Sequence, residues 1–309
     1  MSVYVGSYGL NILRFDRDPS TGMLTGGEAV AQLPNASWLE WHRDTLYAVS
    51  ETSTGSVAAF KDGVVPLGQQ PSHGGAPCHL AIDPSGSHLL VANYGGGSIA
   101  VLPIEPDGSL APASDAVRLP AGAHAHQVVF DRGAVFVPDL GHDAINQYTL
   151  DDGRLTQTGA MRAPQGCGPR HLVIDGDGYR FVAAELGSLL LVFDPDNNLA
   201  ANRGATVSHR GENHPSGLTF SPDRRFIYLA NRGPNCVSVF AVDGPEVTPV
   251  EDVPCGGDWP RDITFIDDML YVANQRSGDI AIFTVDPATG IPAQIGLVNT
   301  PDPARVLAQ

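Results

Sequence analysis

Leu90-Val91-Ala92-Asn93 is a short apolar run that ends in one small polar residue, and runs of this kind recur along the chain. The seven last members are Ser7, Ser50, Asn93, Asp139, Ala184, Asn231 and Asn274. Neighbouring members are separated by 43 to 47 residues. A repeat of this length, filled with short apolar runs and turn residues, is typical of β-propeller blades. The sequence therefore predicts an all-β, seven-bladed β-propeller with four-stranded antiparallel blades.

The repeat around Asn93 shows how one blade is built. Residues 77–82 alternate weakly and predict a first strand, and Asp83-Pro84-Ser85-Gly86 has the composition of a tight turn. Residues 89–93 and 98–102 predict a second and a third strand, which a looser outer strand follows. The other repeats have the same order of strands and turns.

The first strand of one blade is found at the far end of the chain. Six first strands are predicted at residues 36–41, 77–82, 125–130, 169–174, 215–220 and 260–265. The seventh is predicted at residues 303–307. We therefore expect the C-terminal strand to pair into the first blade, which removes two open sheet edges. The seven repeats account for residues 1–309 as a single propeller domain.

Charge and composition narrow the range of partners. The chain has 309 residues, with 18 Lys and Arg against 34 Asp and Glu, and a formal charge of −16. This balance argues against nucleic acid and anionic membranes as partners. No apolar run is long enough to span a bilayer, and Met1-Ser2-Val3-Tyr4-Val5 lacks the pattern of a secretory signal. Four scattered cysteines suit a cytoplasmic protein, expected as a monomer or weak homo-oligomer.

Propeller topology predicts which side chains share a site. Antiparallel pairing places the start of each first strand beside the end of the second strand, and the first strands line the central channel. Since the chain has few cations, arginines at these positions indicate an anion-binding pocket with acid–base groups. The predicted substrate-binding residues are Glu51, Cys78, His79, Asn93, Asp139, Asn231, Arg232, Arg261 and Asn274.

Several of these segments resemble a known family. Gly168-Pro169-Arg170-His171 with Glu185-Leu186, residues 215–223, and residues 228–232 are similar to the lactonase family of seven-bladed β-propellers. That family includes a bacterial type of 6-phosphogluconolactonase and the carboxy-muconate lactonising enzymes. The resemblance implies a sugar-acid lactone hydrolase that uses no cofactor or metal, with His126, Arg170 and Glu185 as catalytic residues. The family often has Asn before the glutamate where this chain has Ala184, which bears on substrate preference.

Lactone opening needs a polarised carbonyl, an activated water and a proton for the leaving alkoxide. We assign these roles to Arg170 (helped by Arg232 or Arg261), to Glu185 and to His126. The substrate is expected to be a small anionic lactone or carboxylic acid. Purely structural roles remain open: Arg170 and Glu185 as a buried ion pair, and His126 as a packed channel histidine.

Other candidate chemistries have weaker support in the sequence. Cys78 has no adjacent base to activate it as a nucleophile. His124 and His126 share a strand face but lack a third ligand at zinc-site spacing.

Three other functions stay open from the sequence. The first is a cycloisomerase that forms a lactone from an unsaturated diacid in the same pocket. The second is a calcium-dependent lactonase with Glu51, Asp139, Asn231 and Asn274 as oxygen ligands. The third is a non-catalytic scaffold that binds a protein partner.

Overall fold

The computed structural model describes residues 1–209 and 211–309, and within them the regular structure consists of 28 β-strands without a helix. The strands form seven four-stranded sheets, here called blades 1 to 7. In chain order, the strands are β1 (Ser2–Ser7), β2 (Asn11–Arg17), β3 (Leu24–Gln32), β4 (Leu39–His42), β5 (Thr45–Ser50), β6 (Ser56–Lys61), β7 (Val65–Pro71), β8 (Pro77–Ile82), β9 (His88–Asn93), β10 (Ser98–Pro103), β11 (Asp115–Arg118), β12 (Val129–Asp131), β13 (Ala134–Asp139), β14 (Ala144–Asp151), β15 (Arg154–Arg162), β16 (Pro169–Ile174), β17 (Arg180–Ala184), β18 (Leu189–Phe193), β19 (Leu199–Gly204), β20 (His214–Phe220), β21 (Phe226–Arg232), β22 (Cys236–Asp243), β23 (Glu246–Pro254), β24 (Pro260–Ile266), β25 (Met269–Asn274), β26 (Asp279–Val285), β27 (Pro292–Asn299) and β28 (Pro303–Ala308).

The sheet order follows the predicted repeat. Blades 2 to 7 each take four consecutive strands, from β4–β7 to β24–β27. Their neighbouring strands run antiparallel, as in the pairs β8–β9 and β9–β10. Blade 1 has the order β28-β1-β2-β3, so the C-terminal strand completes the first blade. The seven-bladed propeller fold and this pairing of the chain ends are confirmed.

The chain divides into two compact units. Unit 1 comprises Met1–Val3, Phe15–Gly27 and Ala163–Ala308, and it contains blades 5, 6 and 7 together with β28. Unit 2 comprises Tyr4–Arg14, Glu28–Arg162 and Gln309, and it contains blades 2, 3 and 4. A single domain over residues 1–309 stays a prediction.

The hydrophobic core of each unit lies between consecutive sheets. In unit 2, one buried cluster joins blades 2 and 3, and a second joins blades 3 and 4. In unit 1, the corresponding clusters join blades 5 and 6 and blades 6 and 7. Because burying one Leu, Ile, Val or Phe side chain contributes roughly 1.5–3 kcal/mol, these clusters stabilise the stacking of blades within each unit.

Tyrosines on second strands add polar contacts between consecutive blades. The hydroxyl of Tyr47 in blade 2 donates to the carbonyl of Gly108 in blade 3 at 2.8 Å. In unit 1, Tyr228 of blade 6 donates in the same way to Gly290 of blade 7 at 2.7 Å. Gly290 has φ +74°, and a Cβ there would lie 2.5 Å from Phe226 Cδ1. Glycine at this turn therefore permits both the left-handed backbone and the close packing.

Two first strands are shorter than the sequence predicts. In blade 4 the predicted strand 125–130 is regular only as β12 (Val129–Asp131), with an isolated bridge between Ala125 and Asp139. His126 N donates to Pro138 O, but Pro138 has no N–H with which to continue the ladder. In blade 2, Ser37 N donates to Asn35 O in a turn, and β4 begins only at Leu39.

No part of the described chain forms a helix that is long and apolar enough to cross a bilayer. All four cysteines are buried, and no disulfide joins them.

Candidate active site

A β-bulge follows the proline at the start of several first strands. In blade 5, Pro169 pairs with Ala184 and His171 pairs with Ala183, so Arg170 has no partner in the register. The same shift occurs around Arg261 in blade 7 and around Cys78 in blade 3. A bulge interrupts the alternation of side chains and re-aims the extra residue. The bulge therefore sets where the side chains point at the start of these first strands.

Glu185 lies directly after β17, and one of its carboxylate oxygens forms two ion pairs. Its Oε2 lies 3.0 Å from Arg170 Nε and 2.8 Å from Arg232 Nη2. The side chains of Arg170 and Arg232 are only 2% and 4% exposed, whereas that of Glu185 is 19% exposed. The two arginines are thus buried behind a carboxylate that still reaches solvent.

Electrostatics keep Glu185 ionised. Burial raises the pKa of its carboxyl, but the combined attraction of Arg170, Arg232 and Arg261 outweighs burial and holds the pKa below its ordinary value. Burial, together with repulsion from Arg170, lowers the pKa of Arg232 to about 9, which leaves its guanidinium protonated at neutral pH. Glu185 is therefore a weak base in a strongly positive environment.

Three arginines lie near the Glu185 carboxylate. Arg170, Arg232 and Arg261 all act electrostatically on this one carboxylate, and Arg261 is half-buried. The neighbouring Asp262 pairs through Oδ2 with Arg305 Nη1 at 2.9 Å. We call Glu185 with these three arginines the arginine cluster. Guanidinium groups such as these suit an anionic ligand or a developing oxyanion.

Three residues beside Arg232 were not predicted from the sequence. The Arg232 guanidinium carbon lies 5.4 Å from the centroid of the Trp259 ring, and that of Arg276 lies 3.3 Å from it. The His214 ring lies 5.9 Å from the same ring, and its carbonyl accepts from Arg232 Nε at 3.0 Å. The one signal in the sequence was Trp259-Pro260-Arg261, an aromatic residue directly before a predicted strand start.

His126 belongs to unit 2, where it lies among aromatic rings. It is buried, and its ring centroid lies 5.7 Å from that of Tyr94 in an edge-on arrangement. His124 stacks on the same Tyr94 ring at 4.5 Å, and its Nδ1 lies 3.0 Å from the Tyr94 carbonyl. The Cys78 thiol points at the His126 carbonyl, with Sγ 3.4 Å from the oxygen. Cys78 therefore contacts the backbone that positions His126.

His79 and Glu51 are also held within unit 2. His79 packs against Trp38 with 4.1 Å between ring centroids. Glu51 Oε2 accepts from the Tyr8 hydroxyl at 3.0 Å and from the Ser37 hydroxyl.

The four remaining predicted residues are buried at strand ends, and their side chains form hydrogen bonds with neighbouring loops. The Asn93, Asn231 and Asn274 side chains have no solvent exposure, and each donates through Nδ2 to a backbone carbonyl. Asp139 accepts from the backbone N–H groups of His124 and Gly141 and pairs with His142 Nδ1 at 2.8 Å. These contacts give the four side chains a structural role in holding loops.

The described residues offer no group of three or more His, Cys, Asp or Glu side chains that could hold a metal ion.

Comparison with known proteins shows similarity over most of the chain. A relative described as a 6-phosphogluconolactonase of Bacillus subtilis is 29% identical over 320 residues, covering 93% of this chain and 92% of that protein. A 6-phosphogluconolactonase of Formosa agariphila is 28% identical and covers 93% of both chains.

Solved structures agree with this similarity. The periplasmic gluconolactonase PpgL of Pseudomonas aeruginosa superimposes with a TM-score of 0.92 at 28% identity, over 99% of this chain and 98% of that one. A putative 6-phosphogluconolactonase of Bacteroides fragilis gives a TM-score of 0.90 at 28% identity, over 99% and 97% of the two chains.

The family profile described as "Lactonase, 7-bladed beta-propeller" matches residues 2–308. The chain therefore belongs to the lactonase family of seven-bladed β-propellers.

Proposed function

We propose that this protein is a lactone hydrolase that opens a sugar-acid lactone at the arginine cluster. The observation that carries the proposal is one partly exposed carboxylate, Glu185, with two buried guanidiniums on its Oε2. A small lactone is the substrate that the family relationship implies.

The reaction begins with attack of water on the lactone carbonyl. The water oxygen bonds to the carbonyl carbon, and the C=O electron pair moves onto the carbonyl oxygen. Arg261 is the member of the cluster that combines a guanidinium with partial exposure, so we assign it the stabilisation of this oxyanion. Arg170 and Arg232 are positioning residues, because they are buried and hold Glu185.

Glu185 orients the attacking water. Both ion pairs engage Oε2 of its carboxylate. We assign the other oxygen, Oε1, to the hydrogen bond with the attacking water. Because its pKa lies below the ordinary value, Glu185 is a weak base; it takes up the proton of the attacking water as the new C–O bond forms and afterwards releases it to solvent. This weakness suits a reactive substrate such as a strained cyclic ester better than an amide.

Collapse of the tetrahedral intermediate breaks the ring C–O bond, and the leaving alkoxide takes up a proton. We assign this proton to His126, whose type of side chain both gives and takes protons near neutral pH. Its partnership with Glu185 in one reaction stays a prediction from the repeat.

The other functions considered from the sequence are not favoured by the relatives. Those cited above are described as 6-phosphogluconolactonases and a gluconolactonase, rather than as cycloisomerases or scaffolds. The calcium-dependent alternative is tested by chelation.

The test is a panel of purified lactones assayed by proton release, with and without a chelator. We expect hydrolysis of gluconolactone or 6-phosphogluconolactone at a rate that the chelator leaves unchanged. Absence of turnover on every sugar-acid lactone would refute the proposal. Loss of activity with chelator, restored by calcium, would favour the calcium-dependent alternative.

We also propose a cytoplasmic location, since four buried cysteines without a disulfide suit a reducing compartment. Fractionation of cells that express the native gene tests this, and recovery in the periplasm would contradict it.

A further inference from the structure

Trp259 has an unusual backbone conformation next to the arginine cluster. Its φ is +66°, a left-handed value that bulky residues rarely adopt. Two backbone hydrogen bonds hold it there: its N–H donates to Asn235 Oδ1 at 3.0 Å, and its carbonyl accepts from Gln275 N at 3.0 Å. A strained residue persists only where its surroundings determine its conformation strongly. The position of the Trp259 ring is therefore fixed by the loops around it.

The Arg276 guanidinium lies over this ring. Its guanidinium carbon is 3.3 Å from the ring centroid, a close cation–π contact, and the residue is exposed in the turn between β25 and β26. No carboxylate in residues 1–209 and 211–309 lies within ion-pair distance of the Arg276 guanidinium. The nearby Asp258 side chain accepts from Asn235 Nδ2 at 2.7 Å instead. Arg276 thus presents its N–H edges to solvent from a fixed platform.

The platform connects directly to the arginine cluster. Arg232, which pairs with Glu185, lies 5.4 Å from the same Trp259 centroid. The guanidinium carbons of Arg232 and Arg276 therefore cannot be farther apart than these two ring distances combined. Arg276 therefore lies close enough to the arginine cluster for one small ligand to reach both.

We propose that Arg276, held on Trp259, binds the phosphate of a phosphorylated sugar-acid lactone and so selects that substrate over the unphosphorylated lactone. This inference rests on the proposed function. It names Arg276 as a specificity-determining residue and Trp259 as the positioning residue that holds it.

The chemistry of the substrate favours phosphate as the group bound. The carboxyl group of a sugar-acid lactone is tied up in the ring ester, so the intact ring is uncharged unless it is phosphorylated. A guanidinium without a carboxylate partner suits a phosphate dianion, because its planar fork pairs two oxygens at once. Hydrogen bonds between charged groups contribute more than neutral ones, so such a contact changes affinity about 10- to 100-fold.

Binding of the two reaction products measures phosphate recognition separately from turnover. Isothermal titration of 6-phosphogluconate and gluconate is compared for wild type, Arg276→Gln and Trp259→Leu. We expect Arg276→Gln to weaken 6-phosphogluconate binding about 10- to 100-fold and to change gluconate binding by less than about threefold. Trp259→Leu is expected to act in the same direction, because Arg276 loses its platform.

The matched control is Arg224→Gln. Arg224 is also exposed and lies over an aromatic ring, that of Phe220, at 5.4 Å. It precedes β21, whereas Arg232 ends this strand, so the two arginines lie at opposite ends of it. The control is expected to leave both affinities unchanged.

An Arg276→Gln variant that binds both products as wild type does, or that loses both equally, overturns the inference. Kinetics with the two lactones distinguish this failure from failure of the proposed function. If wild type hydrolyses lactones but Arg276→Gln leaves the ratio of kcat/KM values unchanged, only the role of Arg276 falls. If wild type opens no lactone but the phosphate-dependent binding is lost in Arg276→Gln, only the proposed reaction falls.

Discussion

Glu185 and Arg232 form an ion pair of 2.8 Å between the consecutive blades 5 and 6, although each follows or ends a different second strand. The repeat brings them together because the second strand of each blade ends at the same end of its sheet. Arg232 therefore contacts both Glu185 and Trp259, since its guanidinium also lies beside the Trp259 ring.

Glu185→Gln is predicted to damage both stability and activity. The change leaves buried Arg170 and Arg232 without their carboxylate, which costs about 3 kcal/mol, the low end for a broken buried pair because Glu185 is partly exposed. We expect kcat to fall about 10²-fold or more. Thermal unfolding and lactone hydrolysis measure the two effects. Glu246→Gln removes an exposed glutamate of β23 as a control, and equal behaviour of the two variants would contradict the prediction.

The stability that Glu185 contributes should depend on pH. Because its pKa is lower in the folded protein than in the unfolded chain, the contribution is fully present above the unfolded value of about 4.3. It is lost as pH falls through the folded pKa. The Tm difference between wild type and Glu185→Gln should therefore be constant from pH 7 to about 5 and shrink below about pH 4. A difference that stays unchanged down to pH 3 would argue against the depressed pKa.

His126→Gln is predicted to lower kcat about 10²-fold or more with little change in KM, because the leaving alkoxide loses its proton source. His124→Gln is the matched control, since both imidazoles contact the Tyr94 ring. Near-normal turnover in His126→Gln, or an equal loss in both variants, would show that His126 is a packed histidine.

Removal of residues 302–309 is predicted to lower the Tm by at least about 10 °C. The deletion takes away β28, with its buried Ala304 and Val306 and the ion pair between Arg305 and Asp262. It also exposes an edge of β1. Deletion of Gln309 alone should change the Tm by less than about 2 °C. A similar Tm for both truncations would mean that β28 contributes little to blade 1.

Much of the fold could be predicted because the same strand pattern occurs seven times along the chain. The first strand of blade 5 was predicted at residues 169–174 and is observed as Pro169–Ile174. The pairing of β28 with β1 followed from the missing first strand of blade 1. Strand boundaries failed where local chemistry interrupts the ladder, as it does opposite Pro138.

The site was harder to predict, because side-chain direction depends on features that a repeat does not encode. The asparagines at strand ends were expected to bind substrate, yet Asn231 and Asn274 use their amides to hold backbone carbonyls. The bulge that isolates Arg170 from the register has no marker beyond Pro169. The contact between Arg276 and Trp259 depends on a left-handed residue in a loop, and propensity rules do not predict this conformation for Trp.

The pairing of β28 with β1 has a consequence for synthesis on the ribosome. β1 is translated nearly 300 residues before its partner, so at roughly 5–20 residues per second the nascent chain carries β1 without β28 for roughly 15–60 s. During this time the N–H and C=O groups along that side of β1 are open to pairing with other chains. Chaperones that shield the emerging N-terminal segment until translation ends would therefore protect this protein from pairing with other chains.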